Sequence, residues 1–286
     1  MDKTIADIQA ESRRLLSGLY NQRELQQVVF ELLACVGFSR VQVIACPDAK
    51  LSETDYQRLS GQLKRLAESE PLQYIIGTER FMDMDFCVCR DVLIPRPETA
   101  ELVRLVADRC TAPSPWIADI GTGSGCIAVS LAKLIDGAQV TAVDVSEAAL
   151  AVARQNAERN GAQVDFVCAD VLADNQLFAP QSLDVVVSNP PYVTESDKQQ
   201  MSPNVLDFEP HLALFVPDSD PLMFYRRIAE LAAQWLKNGG MLFFEINERF
   251  GKETVQLLEN MQYGNVKLHQ DFYGKDRMVS AVWNAK

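Results

Sequence analysis

From Trp116 onward, short apolar runs rich in β-branched residues alternate with helical patterns: strands at 116–119, 139–143, 163–167 and 184–188, helices at 126–135 and 147–160. Runs this short with little polar alternation fit strands buried on both faces, and intervening helices of this length make crossovers between parallel strands. The pattern predicts a doubly wound α/β sheet. Further on, 221–236 reads as a helix, 240–246 as a strand and 252–261 as a helix. Two last strands, 265–269 and 278–283, are joined without a helix and so are expected to be antiparallel neighbours. The expected architecture is a Rossmann-like, seven-stranded, mostly parallel sheet ending in one antiparallel hairpin.

Upstream the pattern changes. The first seventy or so residues read as helices, with Leu25, Val28, Val29, Leu32, Leu33 and Val36 making one apolar face before Gly37 stops the run. A later helix opens at Ser52, where Glu53 and Asp55 suit the positive end of the dipole, and runs to about 68. Pro71-Leu72-Gln73-Tyr74-Ile75-Ile76-Gly77 breaks the helical pattern, and 79–82 with 84–88 reads as a hairpin around Asp83. Pro95 and Pro97 stand just ahead of an amphipathic stretch, so a helix is expected near Glu98. The organisation read from this is a small all-helical domain at 1–72, a hairpin linker at 73–97 and an α/β domain at 98–286.

Composition excludes several function classes. With 286 residues, 48% of them hydrophobic, the chain has enough apolar material for two domains. No apolar run approaches the ~20 residues of a membrane span. Residues 1–7 lack the apolar stretch of a signal peptide, so a cytoplasmic location is expected. Seven scattered cysteines without a C-x-x-C pair and only two histidines argue against a disulfide framework and against a metal site. Cys87 and Cys89 share one face of a strand and read as ordinary small apolar residues. A net charge of −12 with no run of Lys or Arg speaks against direct nucleic-acid binding and leaves room only for a local basic groove.

Two segments carry chemistry. Asp119-Ile120-Gly121-Thr122-Gly123-Ser124-Gly125 follows the first sheet strand and opens a helix, where glycines permit a tight turn and close approach of a ligand to the backbone. Asp144, nineteen residues past Gly125, ends the next strand, where a carboxylate can accept both hydroxyl protons of a ribose. Taken alone this fits a nicotinamide dinucleotide fold, but the fingerprint G-x-G-x-x-G needs a glycine where Cys126 stands. A G-x-G-x-G loop with an upstream Asp119 instead resembles the S-adenosylmethionine loop of class I methyltransferases. Asp170, beyond the third strand, is then placed to accept from the adenine amino group, with Val171 against the base.

The second segment, Asn189-Pro190-Pro191-Tyr192, ends the strand at 184–188, because consecutive prolines cannot donate to a ladder. In open α/β sheets ligands bind beyond the carboxyl ends of strands, so this turn stands where chemistry is expected. An NH₂ on an sp² carbon is a poor nucleophile because its lone pair is delocalised, and orientation must compensate. The Asn189 side-chain oxygen and the Pro190 carbonyl supply two acceptors for its protons. Pro191 fixes the carbonyl direction, and the Tyr192 ring can stack on the planar group. Asn189, Pro190 and Tyr192 are the candidate catalytic residues, with Pro191 added for substrate binding and Asn189 also facing the cofactor. This chemistry does not separate an adenine amine from a side-chain amide.

Over nearly its full length the chain resembles the HemK/PrmC family, the release-factor glutamine methyltransferases. The likeness rests on 71–77, Leu93-Ile94-Pro95-Arg96-Pro97-Glu98-Thr99, the 121–125 loop, Asn189-Pro190-Pro191-Tyr192, Phe208-Glu209-Pro210 with Leu212-Ala213-Leu214, and Asp271, Gly274 and Arg277 at fixed spacing. It implies methyl transfer from S-adenosylmethionine, with S-adenosylhomocysteine as product, to the glutamine of the Gly-Gly-Gln loop of peptide chain release factors. It also implies that the helical N-terminal domain docks this protein substrate. Alternatives are an adenine-amine DNA or RNA methyltransferase and a non-catalytic S-adenosylmethionine-binding adaptor. Two departures stand out: Asn247 in Glu245-Ile246-Asn247, where the family commonly has Gly, with Phe250 for a frequent Gln, and Phe215-Val216-Pro217 for a glycine pair. Both lie away from the N-P-P-Y segment and so bear on substrate-side loops more than on the reaction.

Overall fold

A computed structural model describes residues 3–173 and 176–284, so residues 1 and 2 of the amino-terminal segment read above lie outside the described residues. The chain divides into two compact units, Met1–Gly77 with Ser202–Phe208, and Thr78–Met201 with Glu209–Lys286. In the first, α1 (Ile5–Leu16), α2 (Gln22–Ala34) and α3 (Arg40–Ala45) each open on a capping box, formed by Thr4 with Asp7, Asn21 with Glu24 and Ser39 with Gln42. These satisfy the orphan N–H groups of the first turn and fix where each helix begins. Ser52 caps α4 (Glu53–Ala67). The expected face of α2 is buried against Ile5, Ile8, Leu59, Leu63 and Leu66 in one core. The 71–77 segment departs from expectation. Instead of breaking the pattern it forms α5 (Leu72–Ile76), because the Pro71 carbonyl accepts from Tyr74 and Ile75 and Gly77 ends the turn at φ 85°.

The second unit begins with β1 (Thr78–Phe81) and β2 (Met84–Cys87), an antiparallel hairpin whose turn residues Met82 and Asp83 have φ of 48° and 62°. Pro97 opens α6 (Pro97–Arg109) at the position where its missing N–H costs nothing. Then follow β3 (Trp116–Ile120), α7 (Cys126–Leu134), β4 (Gln139–Asp144), α8 (Glu147–Arg159), β5 (Val164–Cys168), β6 (Leu183–Ser188) and the two-residue β7 (Val193–Thr194). The single turn α9 (Pro203–Leu206) lies in the segment that belongs to the helical unit. The chain returns with β8 (Phe215–Val216), α10 (Met223–Trp235), β9 (Leu236–Glu245), α11 (Gly251–Asn260), β10 (Gly264–Gln270) and β11 (Asp276–Val282).

Seven strands form one sheet in the order β10-β11-β9-β6-β3-β4-β5, with β11 antiparallel to both of its neighbours and the other pairings parallel. Successive side chains point to opposite faces. Val185, Val187 and Phe243 therefore face α6 and α7, while Val186, Leu242 and Phe244 face α10. Burial on both faces is the physical reason the strands read as unbroken apolar runs. No helix among the described residues is long and apolar enough to cross a membrane.

One consequence of the topology matters for function. Ile120 pairs with both Val143 and Ser188, and Asp144 pairs with Cys168, so β3, β4, β5 and β6 end level with one another. The chain turns from one side of β3 to the other between β5 and β6, which is the switch point where such sheets bind ligands. Asp144 is the last residue of β4, and the loops after β3, β5 and β6 hold the glycine run, Asp170 and Asn189.

Candidate active site

The glycine loop is built around a buried carboxylate. Asp119 is fully buried at the end of β3, and its Oδ2 accepts from Thr122 Oγ1 at 2.6 Å and from the Ala128 amide at 3.2 Å. Burial pushes its carboxyl up to about 7, and Oδ1 has no partner among the described residues. The amides of Gly121 and Thr122 both donate to the Val143 carbonyl, which folds the loop back over β4. Gly125 has φ 79°, and a Cβ there would come within 3.0 Å of Ala153 Cβ, so its absence lets α7 start hard against α8. At Gly123 an added Cβ meets no atom within 4 Å.

Asp144 holds the other side of this loop. Its Oδ2 accepts from the Gly123 amide at 2.8 Å and its Oδ1 from Ser146 at 2.9 Å. Each carboxylate oxygen keeps a further lone pair. Asp170 is exposed, with Oδ1 accepting from the Leu172 amide at 2.8 Å, and Val171 beside it is buried. Cys126 stands one residue past the loop, where burial pushes its thiol up to about 12.

These groups surround a cavity of about 350 Å³ at the carboxyl end of the sheet. Gly121, Thr122, Gly123, Ser124, Asp144, Asp170, Val171, Asn189, Pro190 and Pro191 line it. Asp119, Gly125 and Tyr192 do not; the first two shape the loop from behind. Two carboxylates and a largely apolar wall suit a nucleoside with a vicinal diol and an exocyclic amine, so the residues present fit S-adenosylmethionine.

The Asn189–Tyr192 turn is held at several points. Ser188 Oγ donates to the Ile120 carbonyl at 2.6 Å and ties the end of β6 to β3. Asn189 Nδ2 donates to Thr99 Oγ1 at 3.3 Å, and Thr99 Oγ1 donates to Glu245 Oε2 at 2.7 Å. Glu245, 1% exposed at the end of β9, also accepts from the Tyr192 hydroxyl at 3.2 Å. Burial raises the Glu245 carboxyl, opposed by the Thr99 hydrogen bond and the charge of Arg277. The Tyr192 hydroxyl is raised by burial and by the Glu245 charge. Its half-buried ring packs against the core under α10.

The two family departures do not lie away from this turn. Asn247 Nδ2 donates to the Tyr192 carbonyl at 3.1 Å, and Phe215–Val216 pairs in parallel with Val193–Thr194 immediately after the motif. Distance along the chain misled because β9 runs beside β6 and delivers 245–247 to the motif. Thr99, Glu245 and Asn247 were assigned no part at the site from sequence, since each meets its partner only through the fold. Glu209 is a further case: nearly buried, it pairs with Arg96 and accepts from the Ile94 amide, fixing the proline-rich segment that lines the cavity. Asp271, by contrast, explains its own motif. It accepts from the amides of Tyr273 and Lys275 and from Arg277 Nε, closing a turn in which Gly274 has φ 78°.

Comparison with known proteins agrees with this geometry. Residues 7–77 match the PrmC N-terminal domain and residues 100–206 the Methyltransferase small domain. A release factor glutamine methyltransferase of Bacteroides thetaiotaomicron is 45% identical over 96% of this chain and 98% of its own. That of Flavobacterium psychrophilum is 44% identical over 92% and 94%. A solved methyltransferase from Pyrococcus furiosus shares the fold at 17% identity and TM-score 0.53, covering 79% of this chain and all of that one (100%). On the identity and coverage of these relatives, the chain belongs to the release factor glutamine methyltransferase family.

Proposed function

We propose that this protein transfers the methyl group of S-adenosylmethionine to the side-chain amide nitrogen of the glutamine in the Gly-Gly-Gln motif of peptide chain release factors. The observation that carries the reading is the Asn189 amide. Its NH₂ end is committed to Thr99, while its oxygen takes no hydrogen bond from a described residue, on a side chain that lines the cavity. An acceptor amide needs such an oxygen.

S-adenosylmethionine, when bound, supplies a methyl group made electrophilic by its sulfonium. The chain's own residues do the rest by holding and orienting. With it bound, Asp144 would accept from the ribose hydroxyls and Asp170 from the adenine amine, with Val171 against the base, while the glycine loop, whose Gly121, Thr122, Gly123 and Gly125 amides are spent on Val143, Asp144 and Thr122, would shape the wall. Asn189 Oδ1 and the Pro190 carbonyl each take one proton of the acceptor NH₂ and turn the nitrogen's remaining face toward the donor, which is catalysis by orientation. Pro191 fixes the direction of that carbonyl. The Tyr192 ring packs against the core beside the turn, so its part in the reading is to hold the turn, and stacking on the acceptor amide would need the ring to reach the cavity. As the N–CH₃ bond forms, the S–CH₃ bond would break and S-adenosylhomocysteine would leave; the nitrogen becomes acidic and its proton passes to water, so no prior general base is required.

The helical unit is assigned to docking the release factor. An acidic chain with net charge −12 favours a protein over a nucleic-acid acceptor, and a cytoplasmic location suits that partner. The test is labelled methyl transfer to a purified release factor, with mass spectrometry of the acceptor peptide. Label is expected on the Gly-Gly-Gln glutamine and should vanish when that glutamine is changed to Ala. Label that persists in the Gln→Ala acceptor removes the substrate assignment, and label on an oligonucleotide instead moves the acceptor to a nucleobase.

A further inference from the structure

We propose that Thr99 and Glu245 are positioning residues that set which end of the Asn189 amide faces the acceptor. The proposal rests on the reading of Asn189 as the residue that orients the acceptor nitrogen. The two ends of a primary amide have nearly the same shape but opposite hydrogen-bonding character, and only the surrounding network selects between them. With its oxygen outward Asn189 accepts a proton of the substrate amide. With its NH₂ outward it presents two donors to a donor and repels it.

Thr99 alone cannot make that choice, because a hydroxyl both donates and accepts. Glu245 makes it. Its buried carboxylate accepts from Thr99 Oγ1 at 2.7 Å, which spends the hydroxyl's only proton. Thr99 can then offer Asn189 nothing but a lone pair. The amide must turn its NH₂ inward, as it does at 3.3 Å, and its oxygen faces the other way. The second oxygen of Glu245 takes the Tyr192 hydroxyl at 3.2 Å, so one carboxylate holds both ends of the Asn189–Tyr192 turn. Both of its oxygens face hydroxyl donors, Thr99 on one and Tyr192 on the other, and the charge of Arg277 opposes the effect of burial on this carboxyl. The order of polarity runs from carboxylate to hydroxyl to amide to acceptor, and three elements remote in sequence assemble it: the first turn of α6, the end of β9 and the loop after β6.

The experiment compares full-length wild type with Thr99→Val, Thr99→Ser and Glu245→Gln, measuring kcat on the release factor and the dissociation constant of S-adenosylmethionine by titration. Thr99→Val keeps the shape and removes the hydroxyl; its kcat should fall by about ten- to a hundredfold, the cost of one misdirected hydrogen bond. Thr99 lines the cavity, but its hydroxyl proton goes to Glu245, so the S-adenosylmethionine dissociation constant should change by a smaller factor than kcat. Thr99→Ser restores the hydroxyl and should recover kcat to within about threefold. Glu245→Gln, whose amide presents either a donor or an acceptor to Thr99, should lose kcat while binding S-adenosylmethionine; it decides the matter if Thr99→Val does not fold. Wild-type kcat in Thr99→Val or Glu245→Gln overturns the proposal, and so does a folded Thr99→Ser as slow as Thr99→Val. Each comparison is a ratio to wild type on whatever acceptor wild type labels. The Gln→Ala acceptor control therefore tests the substrate reading separately.

Discussion

Asp119 shows how a single residue couples loop architecture to pH. Its carboxyl is raised to about 7 by burial, so between about pH 4 and 7 the folded chain keeps a proton that the unfolded chain has released. The sign follows: this group's contribution to stability is greatest at low pH, declines as pH rises through that window and is flat above about 7. Asp119→Asn keeps the acceptor for Thr122 and Ala128 and removes the titration. Relative to the variant, wild type should therefore lose roughly 2–3 kcal/mol between about pH 5 and pH 8, measured by urea unfolding at both. A constant difference at the two pH values would show that this carboxyl does not titrate as described. At the same scale the candidate site was unevenly legible. Asp144, Asp170 and the Asn189–Tyr192 turn each close a strand, so strand prediction alone puts them at one end of a sheet. Glu245 and Thr99 looked like ordinary motif letters, because a hydrogen bond between residues 146 positions apart leaves no local trace.

At the level of elements, the hairpin was visible from alternation around Asp83, and its strain was not. Phe81 pairs with Met84 across a two-residue turn whose two positive φ values match the mirror-image type I geometry that Asn-Gly occupies without strain. Met82→Asn with Asp83→Gly should stabilise the protein by about 1 kcal/mol net: relief of the roughly 1–2 kcal/mol that a side chain such as Met costs in the left-handed region, less the packing Met82 gives up against the core. The exposed Arg80–Asp83 pair lost in the process contributes little. An unchanged or lowered urea midpoint would count against the turn assignment. The short elements escaped the sequence for another reason. Val193–Thr194 and Phe215–Val216 are two residues each, too brief for any periodicity, and exist because the chain on either side brings them together.

Across the whole molecule, the core of the helical unit is distinct from the two that cover the faces of the sheet, which makes a separable pair of expectations. Leu63 is fully buried among the helices of the first unit, and every residue lining the cavity belongs to the second. Leu63→Ala should cost about 2–5 kcal/mol, the range for deleting a buried leucine side chain. It should leave the S-adenosylmethionine dissociation constant unchanged in native buffer, with urea unfolding and ligand titration as the two readings. Weakened cofactor binding in the folded variant would contradict the assignment of that cavity to the α/β unit alone.

The amino-acid sequence by itself determined the strand and helix alternation, the glycine loop, the carboxylates that end β4 and follow β5, and the turn after β6. Those are local signals, written in spacing, caps and the chemistry of consecutive residues. Only the tertiary structure decided that β9 lies beside β6 and carries Glu245 and Asn247 to the Asn189–Tyr192 turn, and that α6 presents Thr99 between them. The reason is physical: a buried carboxylate chooses partners by proximity in a low-dielectric interior, where an unpaired donor or acceptor is costly, and proximity there is set by sheet order and not by distance along the chain.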